Sequence, residues 1–207
     1  MLFALFKNAY RRAGRRASPL GVDDLIFGNF IPDYVFPGLY DIPVEFYKKL
    51  DVRLLILDVD NTLVPDGYPR PDGRAKDLVS LLNKNGIRTV ICSNNSFERV
   101  STFADGFDGV IPYGYKCGKP RRSSLDFILK NTDVQASHVA FVGDQILTDV
   151  IAAKKNGVIA VYVAPMDPGI ENGFFHLKRM IEKPFLRYYF KKHPAAAEMN
   201  DTNSERE

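Results

Sequence analysis

Short apolar segments, separated by amphipathic ones, run through the middle of this chain and restrict its fold more than any other feature. The apolar segments are rich in β-branched residues and nearly free of charge, which is typical of strands buried on both faces of a sheet. We predict five such strands, at residues 54–59, 89–92, 109–111, 139–143 and 159–163.

The segments between these strands have the periodicity of amphipathic helices. Residues 74–85, 123–131 and 147–156 carry apolar side chains at helical spacing, and Gly86 and Gly157 follow two of them as stop signals. Alternation of strands and helices predicts an α/β fold with three layers and a central parallel sheet of about five strands. Ligands of such sheets bind beyond the carboxyl ends of the strands, so we expect the functional residues there.

The chain divides into four parts on these patterns. Residues 1–50 are an irregular N-terminal extension rich in aromatic and turn-forming residues, and residues 51–165 are the predicted core. Residues 166–193 contain a predicted helix and an aromatic-basic stretch. Residues 194–207 form a polar tail that we expect to be disordered.

Composition excludes some classes of function. The net charge of +3 is too small to indicate a nucleic-acid partner. The two cysteines, Cys92 and Cys117, form no disulfide framework or zinc motif, and we expect them to be reduced thiols. No apolar run approaches the roughly 20 residues that span a bilayer. These features predict a cytoplasmic protein.

The strongest chemical signal follows the first predicted strand of the core. Asp58 and Asp60 lie at its end, with Thr62 just beyond. Two carboxylates so close together are costly unless a cation or a reaction needs them. A calcium loop starting at Asp58 would need Gly at its sixth position and Glu at its twelfth, but Leu63 and Pro69 stand there. Phosphoryl transfer is the favoured interpretation of the pair.

Three further strand ends carry polar residues. Ser93 and Asn94 follow the strand at 89–92, and a serine there is by itself most often a turn or cap residue. Lys119 precedes Pro120, with Lys116 as a rival three residues earlier. The strand at 139–143 is followed by Asp144 and Asp149, which are either metal ligands or caps of the next helix.

The order of acid pair, serine, lysine and acid pair, each beyond a different strand, resembles the haloacid dehalogenase-like (HAD) hydrolase superfamily. The segments DVDNTLV, SNN, GKP and GDQ-x-x-TD are most similar to subfamily IIIA of the YqeG type, a group that resembles phosphatidylglycerophosphate phosphatases. The resemblance covers about residues 50–165 and implies a Rossmann-like fold and a Mg²⁺-dependent phosphatase. It also implies these roles: Asp58 as nucleophile, Asp60 as general acid and base, Thr62, Ser93, Asn94 and Lys119 as phosphate-binding residues, and Asp58, Asp60, Asp144 and Asp149 as the metal site.

The chemistry of these side chains agrees with such roles. A phosphate monoester dianion repels an aspartate nucleophile, and Mg²⁺ together with Lys119 would remove that repulsion. Asp58 could then form a covalent aspartyl-phosphate. Asp60 could protonate the leaving group and later deprotonate the hydrolytic water.

The sequence also bears on the substrate. The resembled superfamily inserts its cap domains in the stretches that correspond here to 64–88 and 97–118, and both are too short to hold one. We therefore expect an open site that admits bulky substrates. The resemblance implies a phospholipid headgroup such as that of phosphatidylglycerophosphate. Residues 1–22 contain five cations and no acid, and residues 185–193 mix aromatics with cations. Both compositions suit peripheral contact with an anionic membrane. The alternatives are that these aromatics pack on the core, or that the N-terminus is a targeting peptide.

Two alternatives to a lipid phosphatase remain on the sequence alone. One is a phosphatase of a small soluble phosphometabolite. The other is a non-catalytic binding or scaffold protein on the same fold, against which the intact set of acids and lysine argues. The oligomeric state has no sequence signal.

Overall fold

The structure is a computed structural model, which describes residues 28–167 and 173–194. In this part of the chain, six strands form one sheet: β1 Tyr34–Phe36, β2 Leu54–Leu57, β3 Arg88–Cys92, β4 Tyr113–Gly114, β5 Val139–Gly143 and β6 Ile159–Val163. Their order across the sheet is β1-β6-β5-β2-β3-β4, and every neighbouring pair is parallel. The predicted α/β fold with a central parallel sheet is therefore confirmed.

Among the described residues, six α-helices accompany the sheet: α1 Val44–Lys49, α2 Gly73–Lys84, α3 Phe97–Ala104, α4 Ser123–Lys130, α5 Ile151–Lys155 and α6 Gly173–Lys192. A π-helical turn, Ile146–Val150, leads directly into α5, so the helix predicted at 147–156 has a wider first turn. Gly86 lies just past the end of α2 at a φ of 76°, the left-handed conformation that ends helices at glycine.

Strand β2 lies at the centre of the core and is buried on both faces. Leu54 is 1% exposed, and Leu55, Ile56 and Leu57 are fully buried. Leu55 and Leu57 belong to one apolar cluster, which includes side chains of α2, whereas Leu54 and Ile56 belong to another, which includes side chains of α4. Each fully buried side chain of this size contributes about 1.5–3 kcal/mol. The apolar run therefore becomes the middle of three layers.

Strand β1 was not predicted, and it lies at one edge of the sheet. It is only three residues long and pairs with β6. Asp33 fixes the start of β1 through two hydrogen bonds to Ala160. The backbone N–H of Asp33 donates to the carbonyl of Ala160, and the carboxylate of Asp33 accepts from the N–H of Ala160, both at 2.9 Å. Two half-buried residues and one buried residue give too little periodicity to be recognised in a sequence.

The opposite edge corrects a prediction, because the strand expected at 109–111 does not form. Val110 is fully exposed to solvent, and the chain reaches β3 only at Pro112, whose carbonyl accepts a hydrogen bond from Ile91 at 2.9 Å. Strand β4 follows at Tyr113–Gly114. The apolar run at 109–111 was misleading because its side chains share no common buried face.

The two segments that could hold a cap domain contain little beyond the core elements. Residues 64–88 supply a loop and α2, and residues 97–118 supply α3 and β4. In the described part of the chain, no added domain covers the carboxyl ends of β2 and β5.

Helix α6 includes the aromatic-basic stretch and continues through Pro184. Phe185 stacks on Phe30 with ring centroids 4.8 Å apart, and Tyr189 is 5% exposed. For these two residues the packing interpretation is confirmed, while the cations Arg187 and Lys191 are exposed. No helix in residues 28–167 or 173–194 has the length and hydropathy needed to cross a membrane. The basic segment 1–22 lies outside the described residues.

Candidate active site

Asp58 directly follows β2 and lies at the centre of the sheet's carboxyl edge. Its backbone N–H donates to the carbonyl of Val142 on β5 at 3.0 Å, which continues the ladder between the two strands. Its side chain is nearly buried, and Oδ1 lies 2.7 Å from the Nζ of Lys119. A buried carboxylate at this position is held by an ion pair rather than by solvent.

Lys119 is buried in the site, whereas the rival Lys116 is exposed. Besides Asp58, the Lys119 ammonium contacts the carbonyl of Cys92 at 2.9 Å and Oδ1 of Asp149 at 2.8 Å. Lys119 lies in the turn before α4 rather than in its first turn. Asn94 fixes that turn, because its amide donates to the carbonyl of Lys119 at 3.0 Å and accepts from its N–H at 2.9 Å.

Asp144 and Asp149 come from the end of β5 and from the π-helical turn that follows it. Asp144 is fully buried and Asp149 is 2% exposed. Asp149 lies so close to Gly143 that a Cβ there would meet its Oδ2 at 2.4 Å, so the chain requires glycine at this position. Thr62 donates a hydrogen bond to Oδ1 of Asp144 at 3.3 Å.

Three of these carboxylates form a compact acidic cluster. Asp58, Asp144 and Asp149 each offer one oxygen, and the three oxygens lie within 4.8 Å of one another. All three side chains are buried. A cluster with only carboxylate donors fits a hard divalent cation such as Mg²⁺ better than a soft metal ion.

Burial and mutual repulsion raise the pKa of two carboxylates of the cluster, those of Asp58 and Asp144. Burial, with help from Asp149 and Asp144 and against the attraction of Lys119, raises the pKa of Asp58 to about 8. Burial likewise raises the pKa of Asp144 to about 7, against the opposing effect of Arg179. Burial also disfavours the charged form of Lys119, but Asp149 and Asp58 outweigh it and hold the lysine pKa well above its usual value. The cluster therefore favours a bound cation.

Comparisons with known proteins agree with this geometry. A family model for haloacid dehalogenase-like hydrolases matches residues 68–157. A protein of Bacillus subtilis (strain 168) named "Probable phosphatase YqeG" is 30% identical over 158 residues, which are 76% of this chain and 90% of that protein. This chain belongs to the haloacid dehalogenase-like hydrolases. Membership of this family, with a relative of that name, identifies it as a phosphatase, as the sequence predicted.

Two solved structures match this chain at low sequence identity and with low TM-scores. The cobalt-bound deoxy-D-mannose-octulosonate 8-phosphate phosphatase of Haemophilus influenzae is 17% identical, with 68% of this chain and 91% of that chain covered and a TM-score of 0.44. A subfamily III A HAD hydrolase from Legionella pneumophila is also 17% identical, with coverages of 90% and 100% and a TM-score of 0.44. Neither likeness carries weight for the function of this chain.

Asp60 of this HAD hydrolase lies apart from the acidic cluster. Its carboxylate is paired with Nη2 of Arg99 at 2.7 Å and accepts a hydrogen bond from the amide of Asn95 at 2.6 Å. Its side chain is 18% exposed, so it is more accessible to solvent than that of Asp58. The predicted ligand set of four therefore separates into three clustered carboxylates and one that faces Arg99.

Ser93 lies at the end of β3, next to the turn that carries Lys119. It is 2% exposed, and its Oγ accepts a hydrogen bond from the N–H of Asn95 at 3.1 Å. The backbone of Ser93 also anchors the neighbouring chain, because its carbonyl accepts from the N–H of Cys117 at 3.1 Å. A serine hydroxyl that accepts one bond can still donate another.

Sequence reasoning missed four residues around the site. Asn95 and Arg99 surround Asp60, and Arg179 and Glu182 of α6 approach Asp144 and the turn after it. Asn95 stands in the SNN segment and was within reach of motif analysis. The other three are charged residues on helices, and only the packing of those helices brings them to the strand ends.

Proposed function

We propose that this HAD hydrolase is a Mg²⁺-dependent phosphomonoesterase that works through an aspartyl-phosphate on Asp58. The observation that carries the proposal is the Lys119 ammonium, buried between Asp58 and Asp149 at the carboxyl edge of a parallel sheet. Nothing in the folding of an α/β domain requires a buried lysine beside three buried acids. A reaction that brings a dianion to a carboxylate nucleophile does require such a cation.

In this proposal Asp58 attacks the phosphorus and takes the phosphoryl group, while the bond to the ester oxygen breaks. Asp60 donates a proton to the leaving alkoxide and then accepts one from the water that hydrolyses the aspartyl-phosphate. The exposure of Asp60 supports this exchange with solvent.

The four predicted phosphate-binding residues contribute in two ways. Ser93 and Lys119 donate to the phosphoryl oxygens directly. Asn94 acts by holding the backbone of Lys119, and Thr62 by its hydrogen bond to Asp144. In this proposal Ser93 and Lys119 therefore contact the substrate, whereas Asn94 and Thr62 shape the site.

Asp58, Asp144 and Asp149 would hold the divalent cation. When bound, the cation supplies positive charge that offsets the repulsion between the carboxylates and the phosphate dianion. The carboxylate of Asp60 is engaged by Arg99 and Asn95, so it is not counted among the ligands of the cation. In this proposal Asp60 serves proton transfer only.

Purified protein stripped of metal tests the metal requirement. We expect hydrolysis of an aryl phosphate to cease in EDTA and to return with Mg²⁺, with Ca²⁺ a poor substitute because it favours more ligands and longer bonds. Full activity in chelator, with metal-free protein confirmed by elemental analysis, would contradict the proposal.

For the substrate we propose a phospholipid headgroup ending in a phosphomonoester, with phosphatidylglycerophosphate as the first candidate. In the described core no added domain covers the strand ends, and this supports a substrate presented at a surface. Initial rates on phosphatidylglycerophosphate in mixed micelles should exceed those on soluble sugar phosphates at equal concentration. A higher kcat/KM for a soluble phosphometabolite would replace the lipid assignment and leave the phosphatase assignment intact.

We further propose that residues 1–22 bring the enzyme to anionic membranes. Each of their five cations contributes about 1 kcal/mol near such a surface. A chain that begins at Gly21 should lose sedimentation with phosphatidylglycerol vesicles at low salt and keep its rate on a soluble aryl phosphate. The matched control neutralises the exposed Lys191 and Lys192 instead. If the control loses binding and the shortened chain does not, α6 is the contact.

A further inference from the structure

Helix α6 reaches the acidic cluster through one side chain, Arg179. Its Nη2 is paired with Oδ2 of Asp144, and its Nη1 donates to the backbone carbonyl of the same residue. The guanidinium therefore contacts Asp144 at both its carboxylate and its main chain. The side chain is 14% exposed, so this contact is largely shielded from water.

Glu182, one turn further along α6, connects the same helix to the turn after β5. One of its oxygens accepts from the backbone N–H of Leu147 at 2.9 Å, and the other lies 3.3 Å from Nη1 of Arg179. Glu182 is 1% exposed. Arg179 and Glu182 together hold the segment 144–147 at two points, and this segment carries a carboxylate of the cluster.

The two oxygens of Asp144 have different partners. Thr62 donates to Oδ1, and Arg179 is paired with Oδ2. Contacts on both oxygens fix the rotation of the carboxylate group. Carboxylates that ligate metal ions are commonly oriented by such outer partners, and removing a partner typically costs about 10–100-fold in metal affinity.

The charges around the cluster also favour retention of Arg179. Four carboxylates, those of Asp58, Asp144, Asp149 and Glu182, lie with two cations, Lys119 and Arg179. When all four carboxylates are ionised, two negative charges remain, and one divalent cation would neutralise them. Without Arg179 the excess would rise to three, and the buried Glu182 would lose its charged partner. The added negative charge alone would strengthen cation binding, so weaker Mg²⁺ binding would report the lost orientation of Asp144.

We propose that Arg179 is a positioning residue that orients Asp144 toward the divalent cation, so that α6 sets the metal affinity of the site. This inference rests on the proposed function, because it assumes that Asp144 is a metal ligand. Arg179 acts through Asp144 and does not contact the phosphoryl group. Its removal should therefore change the Mg²⁺ concentration that the enzyme needs, and not the rate at saturating Mg²⁺.

The test is Mg²⁺ titration of metal-stripped, full-length protein by calorimetry in the absence of substrate, with activity measured over the same range. Arg179→Met should raise the Mg²⁺ dissociation constant by about 10–100-fold and keep kcat near the wild-type value at saturating Mg²⁺. Arg179→Lys keeps the charge but not the planar fork, so it should restore part of the affinity. Arg187 is exposed on the same helix, so Arg187→Ala is the matched control and should bind Mg²⁺ like the wild type.

A second variant separates ligand positioning from folding. Arg179→Met with Glu182→Gln removes both charges, leaves an acceptor for Leu147, and should melt near the wild-type temperature in EDTA. It should still show the weakened Mg²⁺ binding. Mg²⁺ binding by Arg179→Met that equals or exceeds the wild type would overturn the inference, because Arg179 would then compete with the metal. Wild-type protein that neither binds nor needs Mg²⁺ would instead overturn the proposed function.

Discussion

Asp58 and Asp60 lie two residues apart at the end of one strand, yet they face different surroundings. Asp58 is buried among two other carboxylates and Lys119, whereas Asp60 is partly exposed and paired with Arg99 and Asn95. Burial makes the charge on Asp58 costly and raises its pKa to about 8. Similar carboxylates acquire different roles when their environments differ, and the proposed assignment of nucleophile and proton carrier follows that rule.

The largest expected effect comes from changing Asp58, the buried residue of the two. Asp58→Asn removes the proposed nucleophile at nearly constant volume, so hydrolysis of an aryl phosphate should fall by about 10⁴-fold or more. Circular dichroism should match that of the wild type, which rules out unfolding as the cause. Near wild-type turnover by this variant would remove Asp58 from the mechanism.

Changing Asp60, the partly exposed residue, should lower the rate of hydrolysis less than changing Asp58. Asp60→Asn removes the proposed general acid and base, which typically contributes about 10²–10⁴-fold to the rate. Because the carboxylate of Asp60 lies outside the acidic cluster, calorimetric Mg²⁺ binding should stay close to the wild-type value. A large loss of Mg²⁺ affinity would return Asp60 to the ligand set that the sequence predicted.

Arg99 supports Asp60 and should have a smaller effect again. Arg99→Met leaves Asp60 with the hydrogen bond from Asn95, and we expect kcat to fall about tenfold, the value of one charged hydrogen bond. The control is Arg74→Met, which breaks the more exposed pair with Asp72. Equal rates for the wild type and Arg99→Met would show that Asp60 needs no such support.

The smallest expected effect is on stability, and its sign follows from the raised pKa of Asp58. Between pH 4 and pH 8 the folded state holds a proton on Asp58 that the unfolded state has released, so rising pH lowers the free energy of unfolding across this window. Asp58→Asn removes that dependence. In EDTA at pH 8 the Asp58→Asn variant should have a free energy of unfolding about 1 kcal/mol higher than the wild type, which corresponds to about 2–4 °C in Tm.

The gain in Tm should shrink at pH 5, where wild-type Asp58 is largely protonated. Scanning calorimetry of both proteins at the two pH values measures the difference. A variant that is less stable than the wild type at pH 8 would mean that the ion pair with Lys119 outweighs the cost of burying the carboxylate.

The sequence by itself determined the class of fold and the position of most of the chemistry. Strands buried on both faces of a parallel sheet are nearly all apolar, so β2, β3, β5 and β6 were recognisable as short apolar runs. Since parallel strands end at a common edge, the acids and the serine beyond β2, β3 and β5 were expected to meet. Family resemblance then added the proposed roles, among them that of Asp58.

Only the tertiary structure decided which of these side chains share one environment. It separated Lys119 from Lys116 and Asp60 from the acidic cluster, and it brought Arg99 and Arg179 to the strand ends. These outcomes depend on contacts between residues far apart in the chain, such as Arg179 with Asp144, 35 positions earlier. A local pattern records the period of a helix or strand, but it does not record which neighbour the polar face of a helix will meet.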